Sequence, residues 1–295
     1  MPHAFVSDLD EGGKIHNQAI AHNFCLTNKF IPSINICCQE MRLEKNKHGF
    51  RYRCRGCHKS FSIWKNSIFE KVINVPLFLQ LIYLYISRYK IGQATRELNI
   101  NQCATKWYKK FRKVCQLRVA SNHAKVGGPG QIVEMDESLV RKSKYNSDGV
   151  LIKKALWIIG GICPNTDRIF LWATLSRNRE TFLDVVRQNV LEGTVIITDS
   201  WKGYYDCPED KNGENNFETD HRISFVQPSD IPVHTRKIDI FWQDLKPKLP
   251  KFCDSRTVPE YLPEYEYFRN YKSLNHYDTY ITFINDCIAF KEVFE

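Results

Sequence analysis

QIVEMDESLV, residues 131–140, and GTVIITDSWKGY, residues 193–204, are the two stretches whose reading decides the fold. The first reads as a strand, and its neighbours Ile132, Val133, Met135, Leu139 and Val140 imply that it is largely buried, with Asp136 standing inside it. A carboxylate in such a place is costly unless it meets a cation or a hydrogen-bond donor. Glu137 comes next, but adjacent strand residues turn to opposite faces, so it is kept out of any site built on Asp136. The second stretch reads as a buried strand that ends at Asp199 and leads into a helix. Taken alone, an aspartate there would be read as a helix cap.

Around these two stretches the pattern continues. ALWIIGGIC, residues 155–163, and RIFLWATL, residues 168–175, read as two more strands, which with the first make a meander. RETFLDVVRQNV, residues 179–190, reads as a helix carrying Phe182, Val185, Val186 and Val190 at helical spacing. Three strands, a helix, a strand and a helix is the order of an RNase-H-like core, an α/β fold with a mixed sheet flanked by helices. The first and fourth strands of such a core are adjacent and central, so Asp136 and Asp199 can share a metal site. In KIDIFWQDLKPKL, residues 237–249, Ile238, Phe241, Trp242 and Leu245 form an apolar stripe, and Asp239 lies off it, placed to complete the site. Asp244 competes with it on the same helix. Two divalent cations held about 3.5–4 Å apart by hard carboxylate ligands are what two-metal phosphodiester chemistry requires, which makes Mg²⁺ or Mn²⁺ the expected cofactor.

Ahead of this region the character of the chain changes twice, near residue 75 and near residue 128. The reading therefore has four parts: an N-terminal segment 1–74, a helical region 75–126, the α/β domain 127–270 and a C-terminal helix 271–295. In the first, ICCQEMRLEKNKHGFRYRCRGCHKSF, residues 36–61, has the outline of a zinc ribbon. Cys54 and Cys57 suit one half of a tetrahedral Zn²⁺ site. Cys37, Cys38, Cys54 and Cys57 are the cluster whose spacing suggests a metal and are the candidate Zn²⁺ ligands. Adjacent Cys37 and Cys38 are expected to project in different directions and not easily both reach one ion, in which case Cys25, His48 or His58 could complete the shell.

The second part opens with VPLFLQLIYLYISRYK, residues 75–90, a buried helix with Pro76 at its start. Residues 93–98, 99–101 and 102–119 then read as helix, turn and helix, with Asn101 as cap of the second helix. That helix carries Lys106, Lys109, Lys110, Arg112 and Lys113 beside Trp107, Phe111 and Val114, as expected if one face packs while the other meets phosphate. Further basic residues, Arg141, Lys142 and Lys144 with Lys153 and Lys154, fall between the first two strands of the α/β domain. The 42 Lys and Arg against 33 Asp and Glu give a net charge of +9, an excess that favours polyanionic partners. The polar N-terminal residues lack a signal peptide's apolar run, and no stretch approaches the ~20 apolar residues of a membrane span, so an intracellular protein is expected. The 11 cysteines are then not expected to form a disulfide framework.

The chain resembles the Merlin-superfamily transposases and related bacterial insertion-sequence transposases. The resemblance rests on GGPGQIVEMDES (127–138), RKSKY (141–145), WIIGGI (157–162), RETF (179–182), GTVIITDSWKGY (193–204) and HTRKIDIFWQDLK (234–246), preceded by the ribbon, by FSIWKNSIFEK and by the helix-turn-helix in the family's order. It implies an acidic triad on Asp136, Asp199 and Asp239. In this chain Asp239 takes the place of the usual Glu, and Arg236 that of an Asn. TDHRISFV resembles another family segment and puts His221, with His234, among residues that contact DNA or steer the scissile phosphate. What the resemblance implies is cut-and-paste transposition: binding of terminal inverted repeats in double-stranded DNA, metal-dependent strand hydrolysis and joining of the 3′ ends to target DNA. A homodimer or larger assembly and residence in the nucleus follow from that activity. The alternatives are a transposase-derived DNA-binding protein without catalysis and an RNase-H-like nuclease that does not integrate.

Overall fold

Alternating residues between 41 and 62 form a three-stranded antiparallel sheet of β1 (Met41–Asn46), β2 (Gly49–Cys54) and β3 (Ser60–Ser62). It belongs to a computed structural model that describes residues 18–31, 37–46, 49–100, 103–122, 124–198, 223–226, 236–250 and 254–295. The sheet buries only Met41, Tyr52, Cys54 and Ile63, with Phe50, Phe61 and Trp64 packed against them. So small a cluster needs further support. Helix α1 (Gln18–Thr27) supplies some of it, stacking His22 on Phe50 at 5.4 Å and setting it edge-on to Trp64 at 6.0 Å.

Helix α2 (Val75–Ile86) starts where Asn74 accepts the Leu77 N–H at 3.1 Å and Pro76 occupies the first turn, where its missing N–H costs nothing. Ten of its twelve residues are buried, as its sequence predicts. Then come α3 (Ile91–Glu97) and α4 (Cys103–Ser121). Between them Asn99 takes φ +49°, a left-handed conformation that Asn tolerates better than most residues and that turns the chain. Two helices thus stand where the sequence reading put a helix-turn-helix, while the expected cap of the second, Asn101, lies outside the described residues.

The larger sheet uses β4 (Ile132–Arg141), β7 (Leu156–Ile162), β8 (Ile169–Thr174), β9 (Thr194–Ile197) and β10 (Ile223–Val226). Between β4 and β7 stands a separate hairpin of β5 (Lys144–Tyr145) and β6 (Leu151–Lys153). The spatial order is β10-β9-β4-β7-β8. β4–β7 and β7–β8 are antiparallel, whereas β9 is parallel to β4 and β10 to β9. β4 is thus the central strand, with β7 on one side and β9 on the other. Helix α5 (Arg179–Asn189), capped by Asn178, makes the crossover from β8 to β9 and packs Phe182, Val185 and Val186 against Val133, Met135 and Ile159. The other face is covered by α6 (Arg236–Leu245) and α7 (Val258–Asn270), where Ile238, Phe241, Trp242 and Leu245 meet Leu156, Ile158 and Ile162. The result is a mixed sheet between helices. The three-strand meander, the crossover helix and the fourth strand stand where the sequence reading put them. The four-residue β10 is an addition.

The chain divides into two compact units, Val119–Asn270 and the remainder, Met1–Arg118 with Tyr271–Glu295. Helix α8 (His276–Ala289) belongs to the second of these and packs on α2. Tyr280 donates its hydroxyl to the Leu79 carbonyl at 2.9 Å, the Tyr85 and Phe283 rings lie 5.3 Å apart, and Arg118 Nη2 meets Asp286 Oδ1 at 2.6 Å. The C-terminal helix, whose partner the sequence leaves open, docks on its own chain.

Candidate functional site

Asp136 sits in the middle of the central strand, half-buried, directly across from Gly160 of β7 in the β4–β7 register. Its Oδ2 accepts the indole N–H of Trp242 from α6 at 2.8 Å. A Cβ on Gly160 would lie 2.8 Å from Trp242 Cη2 and 3.1 Å from Phe241 Cε1, so only glycine lets the indole lie across β7 and reach the carboxylate. Two residues earlier on the same face is Glu134, 1% exposed, whose Oε2 accepts the Ile238 N–H at 2.9 Å. Burial raises the Glu134 pKa, and nearby Asp239 raises it further, against the main-chain N–H groups of Ile238 and Lys237 and the Lys237 charge, which lower it. Glu134 was not singled out from the sequence. The signal was there, because alternation sends residue 134 to the face of residue 136 just as it sends Glu137 away.

Glu137 does lie on the opposite face. Its side chain is 1% exposed and bonded to Arg177, whose guanidinium also lies over the Trp157 ring. On α6, Asp239 is exposed and off the apolar stripe. Asp244 is engaged elsewhere, accepting from the Tyr265 hydroxyl and from Lys248, each at 2.6 Å, which lowers its pKa although burial alone would raise it. That leaves Asp239 as the acid of this helix that remains at the surface close to Glu134. Asp199, His221 and His234 lie outside the described residues.

Cys37, Cys38, Cys54 and Cys57 come together, with their sulfur atoms all within 4.8 Å of one another. Cys37 and Cys57 are 3.5 Å apart and Cys38 and Cys54 3.3 Å. A Zn²⁺ tetrahedron with bonds of about 2.3 Å has sulfur–sulfur edges of about 3.8 Å, within the spread seen. The expectation that Cys37 and Cys38 diverge is therefore wrong. It assumed extended backbone, whereas residues 37–39 bend, with the Cys37 N–H on the Gln39 carbonyl at 3.2 Å, and both thiols converge. No outside ligand is needed: Cys25 is fully buried on α1, His58 is exposed at φ +57°, and His48 lies outside the described residues. Gly56 makes room for the cluster, since a Cβ there would stand 2.9 Å from Cys38 Sγ. The Cys57 main-chain N–H draws the Cys54 thiol down to about 5, outweighing its desolvation, while Cys38, hydrogen-bonded to Cys54, is pushed up to about 11. Among the described residues this is the one group of three or more His, Cys, Asp or Glu side chains close enough to hold an ion.

The basic residues separate by exposure. Lys106, Lys109 and Lys113 of α4 face solvent. Lys110 is half-buried over the Trp107 and Phe294 rings, and Arg112 is only 8% exposed, so these two are packed rather than presented. Lys142 and Lys144 are exposed on the β5–β6 hairpin and its approach, while Arg141 donates to the Lys154 carbonyl at 3.1 Å.

No family model and no curated protein matches this chain. It is similar to a chain in the crystal structure of a pre-cleavage Mos1 transpososome, at 11% identity over 72% of this chain and 77% of the other, with a TM-score of 0.27. A score this low does not establish a shared fold.

Proposed function

We propose that this protein is a metal-dependent DNA transposase whose Val119–Asn270 unit is an RNase-H-like catalytic domain. The observation that carries this reading is the strand order about Asp136. Numbered by their order in the chain, the five strands of the sheet lie 3-2-1-4-5 with the second antiparallel to the rest, and Asp136 stands at the centre of the first. β9, which leads in sequence to Asp199, runs parallel beside it, and Asp239 belongs to α6, the helix that covers the Asp136 face of the sheet. The ordered motifs from GGPG to QDLK support the same assignment.

In this reading Asp136, Asp199 and Asp239 would hold Mg²⁺ or Mn²⁺, and the donor set fits: the acids are hard oxygen ligands, and Asp136 is partly open to solvent with one oxygen already oriented. A divalent cation there, when bound, supplies Lewis-acid stabilisation of phosphodiester oxygens. β4 and α6 would position Asp136 and Asp239, while Glu137 faces the other side of β4, where it pairs with Arg177. The four cysteines would hold Zn²⁺ as a structural ion, for which tetrahedral thiolate ligation and close approach at Gly56 are suited. Exposed Lys106, Lys109 and Lys113 on the second helix of the helix-turn-helix would meet DNA phosphates. Residence in the nucleus and assembly on paired DNA ends are part of the proposal.

The test is strand cleavage of DNA bearing the terminal repeats that flank the coding sequence, with Mg²⁺ or Mn²⁺, comparing the native chain with Asp136→Asn, Asp199→Asn and Asp239→Asn. Cleavage by the native chain and its loss in all three variants is the expected result. Cleavage that persists in all three removes the triad. A DNA-binding role without catalysis is favoured by one feature, the shorter Asp239 in place of a Glu, and predicts repeat binding with no cutting until Asp239→Glu is introduced.

A further inference from the structure

The geometry points to Trp242 as the positioning residue of Asp136, with Gly160 as the device that lets it act. This rests on the proposed role of Asp136 as a cation ligand. Three observations converge. The indole N–H donates to Asp136 Oδ2 at 2.8 Å. The ring reaches that oxygen by crossing Gly160, which stands opposite Asp136 in the β4–β7 register and would collide with the ring if it carried a Cβ. Trp242 is itself 5% exposed and packed between Phe241 and the apolar face of the sheet, with ring centroids 4.9 Å apart, so it has little freedom to swing away.

The consequence is chemical. A carboxylate has one soft torsion at its end and can offer either oxygen, syn or anti, to a cation. A rigid donor on one oxygen removes that choice, because the indole N–H is a donor only and cannot compete as a ligand. Trp242 therefore fixes the plane of the Asp136 carboxylate. The same side chain is part of the apolar stripe that seats α6, the helix carrying Asp239, so one residue ties the orientation of the first acid to the placement of another. Partners of this kind, one bond removed from a metal ligand, alter metal affinity or activity by about 10–100-fold when lost.

The experiment measures Mn²⁺ binding to the zinc-loaded full chain by electron paramagnetic resonance, for the native protein, Asp136→Asn, Trp242→Phe and Gly160→Ala. The indole N–H resonances of the six tryptophans are followed in ¹H–¹⁵N spectra during Mg²⁺ titration. Trp242→Phe removes the donor and keeps most of the ring volume, whereas Gly160→Ala keeps the donor and displaces the ring. Circular dichroism identifies any variant that has not folded. The expected result is Mn²⁺ binding weakened about tenfold or more in both variants relative to the native chain. One indole resonance, missing in Trp242→Phe, should move with Mg²⁺ in the native protein and stay still in Asp136→Asn. Native affinity in Trp242→Phe overturns the inference while leaving the metal site standing. If Asp136→Asn binds Mn²⁺ as the native chain does, the metal assignment of Asp136 itself fails and the inference falls with it. If only one of the two positioning variants folds, the indole titration of the native chain still decides: a resonance unmoved by saturating Mg²⁺ overturns it.

Discussion

Glu134 Oε2 holds the main-chain N–H of Ile238 at 2.9 Å, so a side chain from the central strand caps the start of the helix that carries Asp239 and Trp242. That N–H belongs to the first turn of α6, where main-chain donors have no partner within the helix. Glu134→Ala would leave it buried and unbonded, at a cost of about 1–3 kcal/mol. Glu134→Gln keeps an acceptor and should lose much less. Chemical denaturation of the two variants checks the difference, and equal stability would remove the capping role.

Zinc content offers a second check. If the cluster holds the proposed Zn²⁺, Cys37→Ser and Cys38→Ser should each lower bound zinc below one per chain, because both sulfurs belong to the cluster. Gly56→Ala should do so as well without touching a ligand, since its Cβ would press on Cys38 Sγ. Cys25→Ser and His58→Ala should leave zinc content unchanged. Elemental analysis of purified protein distinguishes these outcomes.

His22 gives the N-terminal unit a sensitivity to acid. It is 4% exposed, its Nε2 has no hydrogen-bond partner among the described residues, and burial lowers its pKa below the ordinary 6.5. A histidine depressed in the folded state takes up its proton first in the unfolded chain, so stability is full above pH 6.5 and falls as the pH drops below it. His22→Phe keeps the stack on Phe50 and removes the titration. Its melting temperature should fall less between pH 7 and pH 5 than that of the native chain, and parallel curves would contradict this.

Burial also sorts the basic helix. Each of Lys106→Gln, Lys109→Gln and Lys113→Gln should make the dependence of log K on log salt shallower by about 0.9 if that lysine meets a phosphate of duplex DNA. Arg112→Gln, at an 8% exposed position, should lower the melting temperature and leave the slope alone. Fluorescence anisotropy with a mixed-sequence duplex at several salt concentrations reads the slope.

Arg118 and Asp286 form a largely buried ion pair, with side chains 24% and 6% exposed, between α4 and α8. Asp286→Ala strands the guanidinium and should cost about 3 kcal/mol. Denaturation of the native and variant chains measures it.

Much of this was legible in the residues because period and position agree. Val133, Met135, Phe182 and Val186 predict burial by alternation and by helical spacing, and all four are core. The apolar stripe of α6 and the solvent position of Asp239 follow in the same way. What the sequence hid was decided by backbone direction or by partners distant in the chain. Adjacent cysteines diverge on a strand but converge on a bend, and nothing in the letters CC says which applies. Arg112 looks like its lysine neighbours in composition and differs only in the side of α4 on which it falls. That the neighbour of Gly160 is Trp242, 82 positions on by their numbers, depends on how α6 lies across the sheet.

The return of residues 271–295 to the core of Met1–Arg118 also orders events during synthesis. On the ribosome, the sheet of Val119–Asn270 is complete before α8 has been translated, while α2 must wait with Tyr85 and Leu79 uncovered until the last helix arrives. Domains form as their residues become available, so the later-numbered unit is the first able to finish folding. A premature stop near residue 271 would then spare the α/β unit and strip α2 of its backing, uncoupling survival of the two halves.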